Sequence, residues 1–260
     1  MKIAISGKGG VGKTLIAGAL AIFLAERGFK VLAIDADPSP NLALTLGVPL
    51  EQANEIVPIS ENRELIESKT RTDFPGVYRL SFSVDDIVKD FCVETPFNVD
   101  LMVMGSVKSA GGGCTCPANA VIRALLQHLF VERDEAVVVD MEAGVEHLGR
   151  GTARHVNVML IVTDSSFKSM ETARKIHGLA SDLGIKNLFL VGNKVKDNKE
   201  AELIKKFSIR CNIPLIGLVP YDERIFEADM MGETPLRTAR NSSGLLAIKE
   251  ICERLIELNL

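Results

Sequence analysis

The chain has 260 residues, 47% of them hydrophobic and 25% charged, a balance that excludes wholesale disorder and a disulfide-dense miniature scaffold. Its 30 Lys and Arg against 34 Asp and Glu leave a net charge of −4, and with no Trp and two Tyr neither a polyanion-wrapping surface nor a base-stacking platform is expected, so no nucleic-acid partner is foreseen. No run approaches the roughly 18 apolar residues of a spanning helix and the first residues carry no leader pattern, so the expectation is a cytoplasmic protein without stable membrane association.

Apolar, β-branched runs at residues 2–6, 31–35, 99–104, 136–140, 156–162, 187–191 and 215–219 read as buried strands. Amphipathic stretches at 14–26, 118–131, 169–183, 200–211 and 245–258 read as helices between and after them. Strand and helix in alternation imply right-handed crossovers and an α/β fold: a mostly parallel central sheet with helices on both faces. Neither an internal repeat nor a long linker divides the chain, so residues 1–260 are expected to form a single domain. The least regular stretch is 48–98, where Pro49, Pro58, Pro75 and Pro96 interrupt any long period.

The first strand runs into Gly7-Lys8-Gly9-Gly10-Val11-Gly12-Lys13-Thr14, which satisfies the phosphate-loop pattern of Gly, four residues, Gly-Lys-Ser/Thr. Glycines let successive N–H groups turn inward on phosphate oxygens at a helix N-terminus. Lys13 is expected to reach the β- and γ-phosphates of ATP, and Thr14 to give its hydroxyl to Mg²⁺. The second strand closes on Asp35-Ala36-Asp37-Pro38-Ser39-Pro40-Asn41, which puts carboxylates at a strand's carboxyl end, where open α/β sheets bind ligands. The fourth closes on Asp140-Met141-Glu142-Ala143-Gly144, an apolar run ending in an acid.

Lys8 is a second lysine in a loop that already has one, and this feature carries a resemblance. Lys8 to Thr14 resembles the deviant Walker A loop of the P-loop ATPases related to MinD, ParA and the nitrogenase iron protein, the SIMIBI class of NTPases. The resemblance implies a two-fold homodimer in which Lys8 reaches the partner subunit's nucleotide. Asp-Pro-x-x-Asn, matched by Asp37 to Asn41, looks like the family's first switch, which makes Asp37 the residue that positions the attacking water and Asp35 a support for Mg²⁺ or for the switch. Asp140 then holds a Mg²⁺-bound water, and Gly144 brings its N–H to the γ-phosphate. Val191-Gly192-Asn193-Lys194 is similar to the family's base-recognition segment, with Asn193 facing adenine and Pro220-Tyr221-Asp222 flanking the ring; ordinary loop chemistry is the alternative at both places. The catalytic set is therefore Asp37, Lys8 and Lys13, with Gly9, Gly10, Val11, Gly12, Thr14, Asp35, Asn41, Asp140, Gly144, Asn193, Lys194, Pro220 and Tyr221 binding ATP or ADP.

Five cysteines, an odd number, with two of them one residue apart, turn attention from structural disulfides to metal or redox chemistry. Gly111-Gly112-Gly113-Cys114-Thr115-Cys116-Pro117 leads into a helix, and Pro117 suits its first position. Sulfurs near a helix N-terminus favour thiolate, but a closed tetrahedral site needs four ligands and this motif offers two, which a dimer would complete as two plus two. By itself the pair is also compatible with an exposed redox couple or incidental thiols. Cys92, Cys211 and Cys252 are isolated and read as core residues. Together with the nucleotide motifs, Cys114-x-Cys116 resembles the CooC-type ATPases that assist nickel insertion into carbon monoxide dehydrogenase. That resemblance implies Ni²⁺ or Zn²⁺ held between subunits by these cysteines, with the dehydrogenase as client.

Two other functions compete. A MinD- or ParA-like positioning ATPase would use a basic amphipathic tail; the apolar stripe Leu245, Ile248, Ile251, Cys252, Leu255 and Leu258 is flanked by Glu250, Glu253 and Glu257 and is expected to dock on the domain itself. An iron–sulfur reductase like the nitrogenase iron protein needs a cysteine near the second switch, and none follows Gly144 before Cys211. His147 and His155 read as polar loop residues rather than metal ligands.

Overall fold

A computed structural model of the chain describes residues 1–74, 77–79, 82–105, 117–131, 135–142, 144 and 153–258. In order they form β1 (Lys2–Gly7), α1 (Lys13–Glu26), β2 (Val31–Ala36), α2 (Leu42–Thr45), α3 (Leu50–Glu55), a 3-10 turn (Ile59–Glu61), α4 (Arg63–Thr70), α5 (Asp85–Phe91), β3 (Val93–Glu94) and β4 (Asp100–Val103). There follow α6 (Pro117–Val131), β5 (Ala136–Met141), β6 (Val158–Thr163), α7 (Phe167–Asp182), β7 (Leu188–Val195), α8 (Asn198–Cys211), β8 (Leu215–Pro220), α9 (Glu223–Met230), α10 (Pro235–Thr238) and α11 (Ser243–Glu257).

The strands make one sheet in the order β3-β4-β2-β5-β1-β6-β7-β8. All neighbours are parallel except the two-residue edge strand β3, which runs antiparallel to β4. After β1 the chain winds towards β2, and after β5 it crosses to β6 on the other side, so β1 sits where the winding reverses. Such a reversal opens a crevice beyond the strands' carboxyl ends.

Every residue of β1, β2, β5 and β6 is buried, as sheets covered on both faces require. Period-two alternation then sorts side chains between two apolar layers. Ile3, Ile5, Val31, Ala33, Ala136 and Val138 pack with α1, α2 and α11, whereas Ala4, Leu32, Ile34, Val137 and Val139 pack with α6, α7 and α8. Helix α1 is buried over most of its surface because it lies between the sheet and α11. The stripe of α11 docks within the domain as expected: Leu245, Ile248, Ile251, Cys252 and Leu255 are buried and only Leu258 is exposed.

Stretch 48–98 is irregular in part because Pro49 and Pro58 start short helical turns rather than permit a long helix. Pro49 caps α3 and Pro58 caps the 3-10 turn, while Asn62 accepts a hydrogen bond from Leu65 N at the start of α4. Among the described residues no helix is long and apolar enough to cross a membrane.

Candidate active site

The phosphate loop joins β1 to α1 beneath the reversal of winding. Gly10 and Gly12 have φ of 82° and 94°, and Gly12 is the N-cap of α1. A side chain at Gly12 would be excluded twice, by its left-handed backbone and by Asn193, whose Nδ2 would lie 2.4 Å from a Cβ there. Helix α1 carries no acid in its first turn, so nothing of its own competes with an anion for its leading N–H groups. Lys13 is buried and Lys8 half-buried.

The same alternation that builds the core places the carboxylates. Asp35 on β2 and Asp140 on β5 are register partners, and both fall on the face that packs against α1. Asp140 accepts a hydrogen bond from the Thr14 side chain and feels the charge of Lys13. Burial nevertheless dominates and pushes its carboxyl up to about 7, aided by the neighbouring charges of Asp35 and Asp37. Its Oδ1 is buried without a hydrogen-bond partner. An unpaired buried carboxylate oxygen beside a threonine hydroxyl suits a hydrated divalent cation, so Thr14 and Asp140 fit the Mg²⁺ that a nucleotide brings.

Asp35 does a different job. Its Oδ2 accepts Leu42 N at 2.8 Å and its Oδ1 accepts Asp37 N at 3.1 Å, so one buried carboxylate holds both ends of the loop between β2 and α2. Burial raises its pKa against those two bonds. The hydrogen bonds expected of Asp35 to this loop are therefore present. Asp37 is half-buried at the rim, and its Oδ1 accepts Ser39 N at 2.9 Å in a local turn. Asn41 is exposed, and its Nδ2 donates to Ser39 O at 2.8 Å.

Asn193 and Lys194, at the end of β7, reach the phosphate loop from the side. Asn193 Nδ2 donates to Val11 O at 2.7 Å and Lys194 Nζ donates to Gly10 O at 2.8 Å. Lys194 adopts φ of 57°, an arrangement that costs a non-glycine residue about 1 kcal/mol and is sustained here where β7 and β8 lose register. Both residues thus touch the loop's backbone, the Asn193 amide by donating to a carbonyl. Next to them Tyr221 is partly exposed, with Lys196 Nζ 5.5 Å from its ring centroid, and its N–H donates to Val195 O. Pro220, half-buried, ends β8. Asp222 is engaged structurally: it caps α9 through Arg224 N and accepts Gly244 N and the Ser243 hydroxyl at the start of α11.

One residue was missed. Ser6, fully buried on β1, donates to Gly144 O at 2.8 Å and approaches Glu142 O at 3.1 Å, and it accepts Gly144 N at 3.2 Å. A small polar residue interrupting an apolar strand immediately before the phosphate loop was the signal.

Cys114, Cys116 and His147 lie outside the described residues. Pro117 opens α6 as expected. His155 is exposed, Cys92 and Cys211 are half-buried against the core, and Cys252 is buried with its thiol pushed up to about 12 by burial. Among the described residues no group of three or more His, Cys, Asp and Glu side chains is placed to hold a metal ion.

Residues 2–236 match a family model described as CobQ/CobB/MinD/ParA nucleotide binding domain. The chain belongs to this family. Within it, the chain is 43% identical over 234 residues to the carbon monoxide dehydrogenase accessory protein CooC of Rhodospirillum rubrum, covering 89% of this chain and 88% of that protein. It is 42% identical over 262 residues to an ATP-binding protein of Methanocaldococcus jannaschii, covering 99% and 98%. Among solved structures, the septum site-determining protein MinD complexed with Mg-ADP from Pyrococcus horikoshii superposes with a TM-score of 0.69 at 20% identity, covering 99% of this chain and 96% of that one. The MinD/ParA fold expected from the sequence is therefore the fold found, and the chain is an ATPase of this family.

Proposed function

We propose that the chain, acting as one domain over residues 1–260, is an ATP-driven metallochaperone that carries nickel for carbon monoxide dehydrogenase. The observation behind this is the combination of a complete phosphate loop, two loop-facing carboxylates and the Cys114-x-Cys116 pair in a chain 43% identical to an accessory protein of that enzyme. Two thiolates per chain are half a tetrahedral set, so the reading includes a homodimer with Ni²⁺ or Zn²⁺ shared on its axis.

In this reading the loop N–H groups and Lys13 bind the phosphates of ATP, and Thr14 and Asp140 hold Mg²⁺, which neutralises charge building on the phosphoryl oxygens. Asp37, half-buried at the rim while Asp35 fixes its loop, orients the attacking water. Lys8 contributes positive charge to the partner subunit's nucleotide. Asn193 and Lys194 keep the loop shaped, and Tyr221 with Pro220 borders the base. A positioning role on a membrane finds less support, because α11 buries its apolar stripe within the domain.

The test is reconstitution: nickel-deficient carbon monoxide dehydrogenase incubated anaerobically with Ni²⁺, Mg-ATP and this chain. Activation faster than with Ni²⁺ alone, lost in Cys114→Ala and without ATP, is expected. Activation unaffected by the chain would refute the proposal.

A further inference from the structure

Helix α9 carries its larger apolar residues on the outside. Two contacts seat it: Ala228 is buried, and half-buried Ile225, one turn earlier, lies so close to α11 that a Cβ on Gly244 would meet its Cδ1 at 2.7 Å. Both ends are fixed. Asp222 accepts Arg224 N and Gly244 N at the start, while at the close Met231 N donates to Glu227 O and Ala228 O, and Glu233 N to Ala228 O. Phe226, Met230 and Met231 are nevertheless 52%, 72% and 76% exposed. Phe226 and Met230 are one turn apart and share a face, so a firmly held helix presents an apolar stripe. The stripe has an acidic border. At about 3.6 residues per turn, Glu223 and Glu227 fall on one side of the Phe226–Met230 line and Asp229 on the other, with Glu233 just beyond the helix. All four acids are exposed, and the helix holds a single base, Arg224.

An aromatic ring and two methionines together differ from the scattered apolar residues of an ordinary surface, and the unbranched thioether of methionine moulds itself to a partner. The sign of the border selects the occupant. Two copies meeting face to face here would set acid against acid, and an anionic bilayer or a nucleic acid would be repelled as well. We propose that this face of α9 docks an amphipathic helix of a partner protein whose apolar ridge is flanked by Lys or Arg. Phe226 and Met230 supply the apolar anchor, and the acids on either side meet the flanking cations. Exposed ion pairs each contribute little, so the apolar residues carry the affinity and the acids carry the choice of partner and the salt dependence. The proposal is independent of the metallochaperone reading, which uses none of Phe226, Met230 and Met231.

The experiment titrates the full chain, isotope-labelled at its methionine methyls, with a synthetic Leu/Lys amphipathic helix, with the same helix carrying Glu in place of Lys, and with phosphatidylglycerol vesicles. The Leu/Lys helix should bind, shift the Met230 and Met231 methyl resonances first, and lose affinity as salt is added. Phe226→Ser combined with Met230→Ser leaves every charge in place and should weaken binding roughly ten-fold or more, the scale of two apolar side chains no longer buried. Both residues are exposed, so the melting curve of that variant should match wild type. Glu227→Lys combined with Asp229→Lys should weaken the Leu/Lys helix and admit the Glu-bearing one. Absence of binding by wild type, binding undiminished by loss of Phe226 and Met230, or equal binding of the Glu-bearing helix would overturn the proposal. Self-association or vesicle binding that the Phe226→Ser, Met230→Ser variant abolishes would overturn it in favour of that occupant.

Discussion

Asp35 and Asp140 stand side by side, register partners at the carboxyl ends of β2 and β5, both on the sheet face that packs against α1. Their partners separate their roles. Asp35 accepts two backbone N–H groups and organises a loop, whereas Asp140 keeps one buried oxygen without a hydrogen bond. Equal residues at equal positions are therefore differently engaged, one as a structural brace and the other with an oxygen still open to a ligand.

Burial raises the Asp140 pKa to about 7 from an ordinary 3.8, and Asp35 is raised as well. Between those values the native chain holds a proton that the unfolded chain has released. This contribution to stability is full below the unfolded value and is lost as pH rises through about 7. Without nucleotide or Mg²⁺, wild type should lose stability between about pH 4 and 7 more steeply than Asp140→Asn in denaturant titrations. Parallel profiles would contradict the assignment.

Asp37→Asn should bind ATP normally and turn over roughly 100-fold more slowly, since in the proposed mechanism it removes the charge that orients water without disturbing the phosphate cradle. Asp35→Asn should lower both turnover and thermal stability, because Asp35 braces the loop that carries Asp37. Steady-state kinetics beside melting curves separate the two, and normal turnover in Asp37→Asn would move the role to another residue.

Lys8→Ala is expected to abolish hydrolysis and ATP-dependent closure of the dimer while leaving nucleotide affinity within a few-fold, whereas Lys13→Ala should damage binding itself. Isothermal titration and sizing with ATP analogue report both. A Lys8→Ala chain that still closes and hydrolyses would contradict action on the partner subunit's nucleotide.

Asn193 and Lys194 touch the loop's carbonyls at Val11 and Gly10, so their substitution should act on phosphate binding. Lys194→Met should weaken pyrophosphate and ADP by similar factors. If these residues served the base alone, pyrophosphate affinity would not change, and calorimetric titration of both ligands decides.

The fold was legible because its strands are buried on both faces and so read as continuous Val, Ile and Leu runs, and all seven expected strands occur. What escaped was short. The two residues of β3 are too few for a period, and α9 and α10 lie among turn residues. At the site, motif spacing singled out Lys13, Thr14 and Asp140, which the fold brings together. It could not show that Asn193 faces the phosphate loop or that Ser6 holds Gly144, because both contacts join residues more than a hundred positions apart. The division of labour between Asp35 and Asp140 was equally hidden, since it depends on which N–H groups each carboxylate meets.

In the proposed metallochaperone a metal bound by Cys114 and Cys116 is shared between two copies of the chain and is coupled to the nucleotide state. A site completed by two subunits adds its binding free energy to their association, and a closure that moves the subunits changes the distances between sulfurs. The direct measurement is anaerobic metal analysis with sizing, followed by titration of Ni²⁺ and Zn²⁺ into the chain alone, with ADP and with a non-hydrolysable ATP analogue. One metal per dimer, absent in Cys114→Ala and Cys116→Ala, with an affinity that differs between the ADP and ATP-analogue states, is the predicted result. One metal per monomer, or equal affinities in all three states, would contradict it.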